Sequence, residues 1–246
     1  MTRDADDSAG VRQLTLVRHG ESLGNVAAAQ AHAAAAEEIA VAARDADVEL
    51  SQLGERQAVT VGAALLDMPE GARPEILACS PYVRARQTAQ LACEVAGLDL
   101  PLRVDERLRD RELGVLDRLT QDGVASRYPE EAQRRAWQGK FYHRPAGGES
   151  WADVVLRLRS WLSDLDRDLP GARVLVVSHD VVIVLLRYVC EGLDEAQVLD
   201  IAARTPMRNA AVSSLVRDED GAWRTAVYDD VTHLRRAGLT VTEHQG

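Results

Sequence analysis

Leu14-Thr15-Leu16-Val17-Arg18-His19-Gly20-Glu21-Ser22 decides how the rest of the chain reads. An apolar run ends abruptly in Arg-His-Gly-Glu. Such a run predicts a buried strand, and the residues just past a strand of an open α/β sheet sit at the carboxyl edge, where ligands bind. Gly20 allows a sharp turn there. A guanidinium and an imidazole are thus delivered side by side to a ligand edge. Val174-Leu175-Val176-Val177-Ser178-His179 repeats the arrangement with a second histidine. Between them, the apolar run Ile76 to Cys79 leads into Ser80-Pro81-Tyr82-Val83-Arg84-Ala85-Arg86-Gln87-Thr88, which adds arginine to the same edge. Two imidazoles and two or three guanidiniums at one sheet edge describe a pocket for a phosphoryl group. Arg86 reads better as part of a solvated helix face.

The chain has 246 residues, of which 46% are hydrophobic. That suits one well-cored α/β domain over residues 11–246, preceded by a polar, disordered tail at 1–10. The net charge of −10 without a long basic run argues against nucleic acid and anionic membrane as partners. Cations gathered near two histidines in an acidic chain favour a site over a surface patch. Cys79, Cys93 and Cys190 are an odd number at wide spacing inside apolar segments, which suggests buried reduced thiols. With no h-region at the start and no run of membrane-span length, a cytoplasmic protein is expected. The oligomeric state is open, with a homodimer as one option.

Along the chain, strands are expected at 12–17, 76–79, 100–104, 173–178, 211–217 and 223–228, the last two joined at Asp220-Gly221. The alanine-rich stretch 26–46 predicts a helix or helical pair, an insertion that either packs or forms a flap beside the pocket. Ser51 caps a helix from Gln52 to Asp67, with Val59, Ala63 and Leu66 at helical spacing. Ser80 as N-cap and Pro81 at the first turn open the next helix, which Gly97 closes. Residues 107–120 read as loop, and 121–140 as helix broken at Pro129. Ser150 with Asp153 is a capping box in front of the strongest amphipathic pattern, Trp151 to Leu165. A buried helix spans Val181 to Cys190. The alternation of strand and helix predicts a three-layer α/β/α sandwich with a mostly parallel central sheet.

A neutral imidazole, with an ordinary pKa of about 6.5, can attack phosphorus and form a phosphohistidine. Arginine offsets the charge of the phosphate ester through planar, bidentate contacts. A protonated carboxylic acid supplies the leaving alkoxide with its proton; Asp110, Glu112 and Asp180 are the candidates. The scheme needs no metal and no cofactor, and no ligand-spaced cluster such as H-E-x-x-H occurs.

These residues resemble the histidine phosphatase superfamily, in the branch containing cofactor-dependent phosphoglycerate mutases and fructose-2,6-bisphosphatase. Five ordered blocks carry the resemblance. They are Leu16 to Ser22 with Asn25; Leu50-Ser51 with Gly54 and Gln57-Ala58; Ser80-Pro81 with Arg84-Ala85 and Gln87-Thr88-Ala89; Gly148-Glu149-Ser150; and Val177-Ser178-His179. The resemblance implies a phosphoglycerate mutase-like fold and His19 as the phosphorylated nucleophile. Arg18, Asn25, Arg84 and His179 would bind the phosphoryl group, with Glu21 and Ser22 in the substrate-binding loop. Asp110, two residues after Leu108, stands at the family's Leu-x-Glu donor position, one methylene short. Glu112 and Asp180 are alternative donors, the latter because a distant branch uses an aspartate after the second histidine. Mutases of the family carry an aromatic, glycine-rich segment after the asparagine. Residues 26–46 contain no Phe, Gly or Trp, which favours hydrolysis of a small phosphate monoester. A phosphoglycerate mutase is the alternative, and a phosphate-ester-binding protein without turnover a third reading.

Overall fold

The computed structural model describes residues 10–243. The expected disordered tail falls almost wholly on residues 1–9, outside the described residues. Six strands form one sheet: β1 (Gln13–Arg18), β2 (Ile76–Cys79), β3 (Leu102–Val104), β4 (Arg173–Ser178), β5 (Val212–Arg217) and β6 (Trp223–Asp230). Their order is β3-β2-β4-β1-β5-β6. The first four are mutually parallel, while β5 runs antiparallel to both its neighbours. β1 and β4 are buried on both faces, which is why they read as unbroken apolar runs rather than alternating ones.

The crossovers explain the layers. From β1 the chain moves toward β2 and β3 through α2 (Gln52–Leu66) and α3 (Val83–Ala96), which pack on each other. From β3 it returns to β4 and β5 through α6 (Trp151–Asp168) and α7 (Asp180–Glu191), also packed together. Right-handed crossovers that travel in opposite directions place their helices on opposite faces of the sheet. The core is therefore double: Leu14, Leu16 and Leu175 of the sheet are fully buried with Trp151, Leu158, Ile183 and Leu185 of the helices. Adjacent strands β1 and β4 send their connections to opposite faces, so the crevice beyond their carboxyl ends is the topological switch point.

Three expectations need correction. The alanine-rich stretch is helical only in its first part, α1 (Leu23–Ala33), and runs irregularly to position 50 apart from one 3-10 turn at Asp45–Asp47. Alanine's propensity loses to tertiary hydrogen bonds. Thr120 Oγ1 donates to Ala36 O (2.7 Å), Thr120 N to Glu37 O (3.0 Å) and Ile39 N to Arg118 O (2.9 Å). These bonds strap the segment across α4 (Gln121–Arg127), which precedes α5 (Pro129–Tyr142). In α2, Val59 and Leu66 face solvent, and the buried face is Gly54, Gln57, Ala58, Val61, Gly62 and Leu65. Small residues are needed there because a Cβ on Gly62 would lie 2.5 Å from Ala92 O of α3. Finally, α3 begins at Val83 with Tyr82 as N-cap, so Ser80 is not a helix cap. Two helices lie outside the sequence expectations, α8 (Glu195–Arg204) and α9 (Thr232–Arg236), although Asp194 and Gln197 form a reciprocal capping box in front of the former.

Candidate active site

Strand register brings the histidines together. β1 and β4 pair with Arg18 opposite Ser178, so His19 and His179 are the next residues out of two adjacent parallel strands. Their rings lie 5.2 Å apart, edge to face, and both are buried. In β2, Cys79 pairs with Val177, which brings Ser80, the next residue out, level with Ser178 and one residue short of His179. Ser80 Oγ is 2.8 Å from His179 Nε2.

Each ring has a defined role in the hydrogen-bond network. His19 Nδ1 lies 2.7 Å from Gly20 O. A carbonyl oxygen can only accept, so Nδ1 carries the hydrogen and Nε2 presents its lone pair. Arg84 Nε donates to that Nε2 at 3.2 Å. Burial, with the charges of Arg84, His179 and Arg18, holds the His19 pKa well below the ordinary 6.5. The imidazole is therefore neutral at pH 7. His179 is likewise pulled down by burial and by Arg84, against the opposing pull of Asp110.

Arg84 is buried at the centre. Its Nη2 donates to Asp110 Oδ2 (3.0 Å), and its Nη1 to Asp45 O (2.6 Å) and Asp45 Oδ1 (3.0 Å). Burial opposes its charge, but Asp110 and Asp45 outweigh it and raise its pKa. Asp110 Oδ2 also lies 3.1 Å from His179 Nδ1, a contact off the axis of a full hydrogen bond that is an ion pair only when the imidazole is protonated. Burial raises the Asp110 pKa, but His179 and Arg84 together pull it well below 3.8, so it is ionised among these partners. Arg18 is buried at the end of β1 and donates to Met207 O.

Of the three candidate acids, Asp110 touches both Arg84 and His179. Glu112 accepts from Tyr82 Oη at 3.0 Å and is half exposed. Asp180 accepts from the Val181 amide at 2.8 Å at the start of α7, and its charge bears on Lys140 and Tyr228 instead. Glu21 and Ser22 hold the loop: Ser51 Oγ donates to Glu21 Oε1 (2.7 Å), and Ser22 caps α1 by exchanging hydrogen bonds with Asn25. Gly20 does not use a left-handed φ. It is required for contact, since a Cβ on Gly20 would meet Gly54 O at 2.5 Å and one on Gly54 would meet Glu21 O at 2.0 Å. Arg86 faces solvent, as expected.

Sequence reasoning missed Asp45, Ser80, Tyr82 and Asn209. Asp45 follows a poorly patterned loop, and Asn209 sits in a turn with no periodic signal. Ser80 carried a signal that pointed to the wrong role.

The chain matches the model of the histidine phosphatase superfamily (branch 1) over residues 14–230. The chain belongs to this family. A 2,3-bisphosphoglycerate-dependent phosphoglycerate mutase of Methylobacterium radiotolerans is 33% identical over 223 residues, covering 89% of this chain and 97% of that one. Among solved structures, a mycobacterial glucosyl-3-phosphoglycerate phosphatase is 29% identical with a TM-score of 0.68, covering 89% of this chain and 99% of that one. The alpha-ribazole phosphatase of Shigella flexneri shares the fold at a TM-score of 0.71 and 19% identity, over 89% and 96% of the two chains. Among the described residues of this histidine phosphatase homologue, no helix is long and apolar enough to cross a membrane.

Proposed function

We propose that the protein hydrolyses a small phosphate monoester through a phosphohistidine at Nε2 of His19. The observation that carries this is the convergence of His19 and His179, whose ring centroids lie 5.2 Å apart beyond the ends of β1 and β4, with Arg84 of the first turn of α3, whose Nε donates to His19 Nε2 at 3.2 Å. The Nε2 lone pair attacks phosphorus as the bond to the leaving oxygen breaks. Arg18 and Arg84 offset charge on the equatorial oxygens, each guanidinium at ~4 Å being worth about 4 kcal/mol at an effective dielectric near 20, and His179 contacts them as a neutral ring. The N-terminus of α7 adds its dipole. The leaving alkoxide takes a proton from Asp110, protonated once substrate is bound. In the second half, the Asp110 carboxylate removes a proton from water. The oxygen attacks phosphorus, the N–P bond breaks, and His19 regains its Nε2 lone pair.

A phosphoglycerate mutase is the second reading, favoured by relatives so named at 33% identity. Against it stands the segment over the pocket. A mutase must retain a doubly phosphorylated intermediate, and here the side chain nearest Arg84 from that segment is an acid, Asp45, rather than a cation or an aromatic. The test is release of inorganic phosphate from p-nitrophenyl phosphate and a panel of alkyl phosphates, with acid-labile labelling of the protein that His19→Ala abolishes. Interconversion of 3- and 2-phosphoglycerate without phosphate release selects the mutase.

A further inference from the structure

We infer that Asn209 is a positioning residue that sets the amide of Asn25 for phosphoryl binding. The inference rests on the reading of Asn25 as a phosphoryl ligand. Asn209 is fully buried in the turn before β5, with no apolar role to explain it. Its Nδ2 donates to His19 O at 3.3 Å and to Asn25 Oδ1 at 3.2 Å. Its Oδ1 accepts from Thr242 Oγ1 at 3.1 Å, and its backbone amide donates to Thr242 O at 2.9 Å. The same side chain therefore ties the nucleophile's carbonyl, a ligand of the signature helix and the segment around Thr242.

The orientation of both amides is fixed by backbone groups that cannot change role. His19 O can only accept, so the Asn209 atom facing it is nitrogen. The Ser22 amide can only donate, and it reaches Asn25 Oδ1 at 3.0 Å, so that atom is oxygen. Ser22 Oγ reaches the same oxygen at 3.1 Å. With Asn209, three donors converge on one carbonyl oxygen. A flipped Asn25 would set its NH2 against Ser22 N–H and Asn209 NH2. The flip is thus blocked, and both hydrogens of Asn25 Nδ2 remain for an anion; among the described residues they are donated to no other group. Preorganised donors of this kind act without reorientation when the phosphoryl group arrives.

Asn209→Asp is isosteric but places a carboxylate oxygen against two acceptors, His19 O and Asn25 Oδ1. Calorimetric binding of orthovanadate and inorganic phosphate, with KM and kcat on p-nitrophenyl phosphate, is measured for Asn209→Asp, Asn25→Ala and the double variant. Thr242→Val is a milder change: it removes the donor to Asn209 Oδ1 and an acceptor for Gln57 Nε2, which keeps Thr240 O at 3.1 Å, and it leaves the backbone contact to Asn209. The expected result is about a tenfold weaker anion affinity for Asn209→Asp, with KM rising more than kcat falls, and about threefold for Thr242→Val. In the Asn25→Ala background both effects vanish, because their target is gone. Losses that multiply in the double variants, at an unchanged melting temperature, overturn the role for Asn209 while leaving hydrolysis intact. A wild-type protein that binds neither anion and releases no phosphate overturns the reading of the site itself, and this inference with it. If Asn209→Asp fails to fold, the Thr242→Val pair decides in the same way.

Discussion

Asp45→Ala should make the protein bind phosphate more tightly. Asp45 occupies Arg84 with both carboxylate oxygens, at 3.0 and 3.3 Å, as well as with its carbonyl at 2.6 Å. A phosphoryl group that needs the same guanidinium face must displace it. Substitution by alanine removes the two charged contacts and leaves the carbonyl. Hydrogen bonds to charged groups contribute about 1.5–3 kcal/mol. The Asp45 side chain is 46% exposed, so screening reduces its hold to about 1–2 kcal/mol. That corresponds to roughly 5- to 30-fold in apparent affinity, because a ligand is penalised by the fraction of protein in the competent state. KM for p-nitrophenyl phosphate and the inhibition constant of inorganic phosphate should fall together by that factor, while kcat holds or drops as product leaves more slowly. The gap from wild type should narrow in high salt. A rise in KM would refute the reasoning, since it would mean that Asp45 holds Arg84 in its working position rather than competing for it.

The same geometry makes further outcomes measurable. Asp110→Asn should cost about 10²–10⁴-fold on alkyl phosphates and far less on p-nitrophenyl phosphate, whose leaving group needs no proton; equal losses on both would exclude Asp110 as the donor, and a larger loss from Glu112→Gln or Asp180→Asn would reassign the role. Folded-state pKa values of His19 and His179 lie below the unfolded value, so the unfolded chain takes up protons first and stability is lost as pH falls below about 6.5; Asp110, also depressed, adds a further loss below about 3.8. Melting temperature should therefore decline from pH 7 to 5 and decline less in His19→Gln, and a flat wild-type profile contradicts the assignment. Gly54→Ala drives a methyl to 2.0 Å from Glu21 O and should cost about 3 kcal/mol or more, a fall of roughly 6–12 °C in thermal melting; an unchanged melt would show that the signature loop can move away from α2.

The part of the site legible in the sequence is the part that strands dictate locally. β1, β2 and β4 are buried on both faces, and their apolar runs end at His19, Ser80 and His179 because a polar group at the carboxyl edge has solvent or ligand to meet. Register did the rest, and register between parallel strands is set by packing that no local pattern records. Asp45 was illegible for a different reason. Its place over Arg84 depends on hydrogen bonds from Thr120 and Arg118, some seventy residues later, which hold the alanine-rich segment out of the helix its composition favours. Asn209 is linked to residues 19 and 25 by bonds spanning about 190 positions, and an asparagine in a turn is an ordinary sight in sequence. Ser80 shows the converse: serine before proline is a fair helix start, yet the hydroxyl accepts from the Tyr82 amide and meets His179 instead.

The charge inventory explains how an ionised carboxylate can serve as an acid. Arg84 stands between Asp45 and Asp110, so its guanidinium is already compensated by the protein's own carboxylates, and the His179 ring lies beside Asp110. Under the proposed mechanism, an arriving phosphate dianion would take Arg84 from Asp45 and bring two negative charges close to Asp110. The guanidinium that depressed the Asp110 pKa is now shared, and the new like charge raises it. If Asp110 is the acid of the proposed reaction, this rise would let it take up a proton as substrate binds, and loading the pocket and arming the acid would be one electrostatic event. It follows that the proton is taken up with the phosphate: binding of orthovanadate measured in buffers of different ionisation heat should show net proton uptake near neutral pH, and Asp110→Asn should abolish that part of it. Binding without a proton difference between the two proteins would mean that Asp110 stays ionised throughout and that the leaving group draws its proton from elsewhere.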